Sequence, residues 1–107
     1  MRLAAPAIAT RTRAETTTTP EIDVDILRRL LPPWNVVLHN DDHNPMDHVV
    51  ISLIRSVPSL SPERAAEIML LAHNHGQATV ITCVKEEAEL YRERLESCGL
   101  TATIEPD

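Results

Sequence analysis

At 107 residues the chain suits one compact domain with a tail, and its two cysteines, Cys83 and Cys98, are too few for a disulfide framework, so reduced thiols and a cytoplasmic protein are expected. The formal net charge of −6 is uneven: residues 1–14 hold Arg2, Arg11 and Arg13 and no acid, which leaves 7 basic and 16 acidic groups in residues 15–107, a charge near −9. An acidic domain repels phosphate, which disfavours nucleic acid and favours a cationic ligand, and no apolar run is long enough to span a bilayer.

Residues 1–14 are rich in Arg and Ala and resemble an organellar transit peptide in composition, but they are short and lack serine. With Thr16-Thr17-Thr18-Thr19-Pro20 they read as a disordered start. Residues 21–31 mix acids with Ile22, Val24, Ile26, Leu27, Leu30 and Leu31, enough for one or two marginal helical turns. Pro32-Pro33 ends that stretch, which divides the chain into a flexible arm over residues 1–31 and a core domain over residues 32–107.

Trp34 to His39 alternates, with Trp34, Val36 and Leu38 on one side, and predicts a strand. The polar run from Asn40 to Pro45 is a loop; Asn44 suits a helix cap and Pro45 a first turn. Met46, Val49, Val50, Leu53, Ile54 and Val57 then recur at three- and four-residue steps, the stripe of a first helix. Ser61-Pro62 opens a second helix whose apolar positions nearly surround it, so it is expected to be the most buried, with Gly76 as its C-cap. Thr79 to Val84 is β-branched and strand-like. Glu86 to Cys98 predicts a third helix, stopped by Gly99, with acids at its start where the helix dipole favours them. Leu100, Ala102 and Ile104 alternate with Thr101 and Thr103 in a last strand. The order strand–helix–helix–strand–helix–strand predicts an α+β two-layer sandwich: a three-stranded antiparallel sheet with three helices on one face.

Two segments carry a more specific signal. Val37-Leu38-His39-Asn40-Asp41-Asp42-His43-Asn44-Pro45-Met46 is similar to the signature of the ClpS family of Clp protease adaptors, in which a strand ends in Asn-Asp-Asp, followed two residues later by Pro-Met. Glu63 to Gly76, with Met69-Leu70, His73 and Gly76, resembles that family's helix ending in Met-Leu-x-x-His-x-x-Gly. The resemblance spans residues 32–105 and leaves the arm unmatched.

The resemblance implies a non-enzymatic adaptor. Such a protein captures others by a bulky N-terminal residue (Leu, Phe, Tyr or Trp) and delivers them to a Clp ATPase–protease. A free α-amino group has a pKa of about 7.7–8.0 and is a three-donor ammonium at neutral pH, which a carboxylate, an amide oxygen and an imidazole nitrogen can satisfy. Carried over from the family, Asn40, Asp42 and His73 supply that set, with Asp41 in the same group. Asn44, Met46, Val49, Met69, Ala72 and Leu100 match positions that line the side-chain pocket, and Met46 matches a methionine gate that excludes β-branched residues. Met69 lies four residues before His73, so the two share a helix face. By themselves, Asn40-Asp41-Asp42 read equally as turn residues, Met46 and Met69 as core, and His73 as a partner of the helix dipole.

Docking on the N-terminal domain of a ClpA- or ClpC-like AAA+ ATPase is implied for the region of Asn74 and His75 and for Glu86, although Tyr91 stands where the family often has lysine. Asn44 replaces a frequent threonine and is bulkier, so a narrower specificity is expected; His43 and His48 replace aromatic or apolar residues. Five histidines raise a metal site, with His73 and His75 near each other, but His39, His43 and His48 point different ways and no Cys-x-x-Cys accompanies them, so no metal and no cofactor are expected. Cys83 lacks an activating base, which argues against an enzyme. The expected partners are the ATPase and N-degron proteins or peptides, with no nucleic acid and no membrane, for a monomeric adaptor. The competing readings are a ClpS-like regulator that binds the ATPase without a degron, and a small metal-binding interaction domain.

Overall fold

The computed structural model describes residues 23–107. The disordered arm expected over residues 1–20 lies outside the described residues. The marginal turns expected near its end are a helix, α1 (Val24–Leu30), opened by Asp23, whose carboxylate accepts the Asp25 amide at 3.0 Å. The chain divides after Leu30, so α1 belongs to the first unit and everything from Leu31 onward to the second.

The second unit follows the expected order: β1 (Pro33–His39), α2 (Met46–Ser56), α3 (Pro62–His75), β2 (Gln77–Val84), α4 (Lys85–Ser97) and β3 (Thr101–Pro106). β1 is the central strand of an antiparallel sheet ordered β2–β1–β3. Its alternation is the reason: Val36 and Leu38 enter the core, while Asn35 and His39 bond to Thr82 and Thr103 on the other face. Helices cover one face only. Leu53 and Val57 from the α2 region, Ile68 and Ala72 from α3 and Leu95 from α4 pack on Val36, Leu38 and Val80.

Three details depart from the expectation. The second helix is not buried all round: α3 buries Ala65, Ile68 and Ala72, while Leu70 stays 47% exposed. A helix in the outer layer of a two-layer sandwich meets the sheet along one stripe, whatever its composition. Ser52 and Ser56 interrupt the apolar stripe of α2 yet are buried, because they face the end of α4, where Ser56 Oγ lies 3.8 Å from Cys98 Sγ. Asn44 does not cap α2. Pro45 occupies that position with extended backbone and no side-chain cap, and Asn44 turns its amide elsewhere. Ser61 does cap α3, accepting the Arg64 amide at 3.0 Å, with Pro62 next in line.

Candidate functional site

Where β1 runs out, a cleft of about 230 Å³ opens. Leu38, His39 and the loop Asn40–Asp42 form one wall, Asn44, Pro45, Met46 and Val49 a second, Met69, Ala72 and His73 a third, and Leu100 closes it. Every residue expected at the amine-binding group or the side-chain pocket therefore lines one cavity. The cavity also takes in Leu38, His39 and Pro45, which the sequence shows only as strand alternation and a helix start.

Each wall is set by local chemistry. Antiparallel pairing of β1 with β2 puts His39 opposite Gln77, and the Asn40 amide donates to the Gly76 carbonyl at 2.9 Å. Gly76 ends α3 in the left-handed region, φ 93°, with its own amide on the Ala72 carbonyl at 2.8 Å. That hydrogen-bonded turn is what holds the loop after β1 beside the last turn of α3, and so Asn40 near His73.

The loop is held by Asp41. Its Oδ1 accepts the His43 amide at 2.9 Å and the Asn44 amide at 3.0 Å, and both carboxylate oxygens accept the Asn44 side-chain amide at 3.1 Å. Partial burial pushes the Asp41 carboxyl up, but these bonds and the nearby His43 outweigh it, and the net direction is below the ordinary carboxylate value. Asp42, next along, is exposed on the cavity rim. Asp41 is thus committed to the loop, and Asp42 is the carboxylate presented outward.

Leu100 is delivered by a helix stop. Gly99, φ 87°, ends α4; its amide bonds the Glu96 carbonyl at 2.9 Å and the Leu100 amide bonds the Leu95 carbonyl at 3.1 Å. That double bond pattern carries the usual apolar contact, here between buried Leu100 and Leu95.

The residues expected to dock the ATPase lie elsewhere. Asn74 and His75 are exposed beyond His73. Glu86 lies past the far end of β2, whose eight residues span roughly 25 Å. There Glu86 lines a second cleft with Leu31, Pro32, Trp34, Val84 and Lys85. Among the described residues no group of three His, Cys, Asp or Glu side chains could hold a metal ion, no helix is long and apolar enough to cross a membrane, and Cys83 and Cys98 do not form a disulfide.

The family model for the ATP-dependent Clp protease adaptor protein ClpS matches residues 30–103. The chain belongs to the ClpS family. It is an adaptor of the Clp protease, and its similarity to curated ClpS proteins runs well beyond the two motifs. The ClpS of Synechococcus elongatus is 46% identical over 101 residues, 94% of this chain and 98% of that protein. That of Gloeobacter violaceus is 48% identical over 82 residues, 77% of this chain and 88% of that protein. The chloroplastic CLPS1 of Arabidopsis thaliana is 37% identical over 87 residues, 81% of this chain and 55% of that protein. The fold is also that of Agrobacterium tumefaciens ClpS2 bound to L-phenylalaninamide, with a TM-score of 0.67 at 28% identity over 71% of this chain and 98% of that one.

Proposed function

We infer that this ClpS chain captures proteins by a free N-terminal Leu, Phe, Tyr or Trp and hands them to a Clp ATPase. The observation that carries the reading is the two-part character of the cavity at the end of β1. Its rim holds Asn40, Asp42 and His73, an amide oxygen, a carboxylate and an imidazole for the three donors of an ammonium; its walls hold Met46, Val49, Met69, Ala72 and Leu100. L-phenylalaninamide, the ligand in the ClpS2 structure, carries just such an amine and a benzyl side chain.

Each half has a distinct energetic task. A charge-assisted hydrogen bond contributes about 1.5–3 kcal/mol, and burying a Leu or Phe side chain contributes roughly as much. Neither alone makes an N-degron receptor: every unblocked chain has an amine, and every core has a leucine. Acetylation removes the charge and leaves Asp42 facing a neutral amide, so blocked termini are rejected by desolvation without a steric gate. The ATPase N-terminal domain docks at Asn74 and His75 and at Glu86, which makes the docking surface run the length of β2. Two cysteines that form no disulfide fit a cytoplasmic site of action.

The test is a titration with a Phe-initiated peptide labelled at its far end, beside its N-acetylated twin. Saturable binding of the first and none of the second is expected. Equal binding of both, or of neither, sinks the reading.

A further inference from the structure

Two consecutive carbonyls at the end of α4 are held from across the molecule. Asn44 Nδ2 donates to the Gly99 carbonyl at 2.9 Å, and His48 Nε2 donates to the Cys98 carbonyl at 2.8 Å, with Ser52 Oγ 3.4 Å from the same nitrogen. The tied residues are 55 and 50 positions apart in the chain, so neither bond is a local turn. Asn44 also reaches Asp41 with its other amide hydrogen, at 3.1 Å to each carboxylate oxygen. Only a side chain with two donors on one nitrogen can hold both the loop and the turn; a hydroxyl, with one hydrogen, must choose.

The residue that follows this clasp is Leu100, buried to 5% exposure and part of the cavity lining. Leu100 cannot move outward without the Cys98–Gly99 turn moving with it. We propose that Asn44 and His48 act as positioning residues that fix Leu100 and so set which N-terminal side chain the cavity admits, favouring Leu over the larger Trp. This rests on the N-degron reading above. His48 does not line the cavity, so its effect on ligand choice runs through the turn alone. Asn44 does line it, and its amide is spent on Asp41 and Gly99 rather than on a ligand.

The experiment compares affinities for Leu- and Trp-initiated peptides in the full chain and in His48→Ala, His48→Gln and Asn44→Ala. Each lost hydrogen bond is expected to relax the Leu-over-Trp preference by ~2- to 10-fold and to speed amide exchange at Gly99 and Leu100 by a similar factor. His48→Gln keeps a side-chain N–H for Cys98 and is expected to restore the preference. If Asn44→Ala does not fold, His48→Ala decides alone, since it leaves the Asp41 loop untouched. An unchanged preference in His48→Ala, or a wild-type chain that binds both peptides equally, overturns the clasp proposal while leaving the receptor reading intact. A wild-type chain that binds neither overturns the receptor reading itself.

Discussion

The two ends of β1 each open into a cleft of similar size, and only the one at the His39 end is proposed to bind a degron. The difference lies in what converges. The Trp34 cleft draws on two stretches, Leu31–Trp34 and Val84–Glu86, and its main polar feature is the Lys85 ammonium 5.0 Å above the Trp34 ring. The His39 cleft draws on the end of β1, its loop, α2, α3 and the turn after α4, and it sets acceptors against apolar walls. Volume records where helices fail to close over a sheet; function follows from how many separate segments are held in place around the gap.

The sharpest way to break the comparison is to change a cavity side chain at each end. Asp42→Asn is expected to weaken binding of a Phe-initiated peptide by ~10- to 100-fold, the equivalent of one charge-assisted bond, and His73→Ala by a similar factor. Trp34→Phe at the other end is expected to leave that affinity unchanged. Titration of the three variants with one peptide checks the pair; a large loss in Trp34→Phe would mean that the ends are not independent.

A stability measurement separates the ends less strongly. Gly99→Ala puts a side chain where φ is 87°, at a cost of about 1–2 kcal/mol. The new Cβ meets nothing closer than Asn44 Oδ1 at 3.9 Å, so the cost is backbone strain and not a clash. Denaturant unfolding should show that loss, with a parallel fall in peptide affinity because Leu100 follows Gly99.

The fold was legible because its cues are local, and the cavity residues were legible only through the family resemblance that the two motifs carry. Met69 and His73 share a face by helical spacing, and Asn40–Asp42 follows a strand whose alternation is plain. What escaped depends on partners far along the chain. Asn44 before Pro45 has the chemistry of a cap, and nothing nearby shows that its amide will reach Gly99. Leu70 is apolar enough for a core, and its exposure follows from the number of layers, which no window of sequence contains. His75 and Glu86 lie at opposite ends of β2, so the extent of the proposed docking surface depends on eight residues of strand between them.

Acid offers a smaller effect, confined to the His39 end. Burial pushes the Asp41 carboxyl up, but its bonds to the Asn44 side chain and to the backbone amides of His43 and Asn44 hold it below its ordinary value of 3.8. A depressed folded-state pKa contributes stability above the unfolded value, and that contribution is lost as pH falls through the folded one. The loop should therefore loosen only below about pH 3.8. Exchange of the Asn44 amide, followed from about pH 5 downward, should show it, while fluorescence from Trp34 stays flat until global unfolding.

The smallest expected effect belongs to the Trp34 end. Lys85 sits over the Trp34 ring beside Glu86, near the surface, where such a contact contributes ~0.5–1 kcal/mol. Lys85→Met keeps most of the aliphatic stem and removes the charge, so it isolates that contribution from packing. Denaturant unfolding should show a loss of that order, and peptide affinity at the other end should not change. An interaction between an exposed cation and a ring is weakened by added salt, so the stability difference between the parent chain and the Lys85→Met variant should shrink at high ionic strength. A difference that persists there would mean that Lys85 stabilises this end through its stem, and the contrast between a charge-built site and an apolar cleft would then be sharper still.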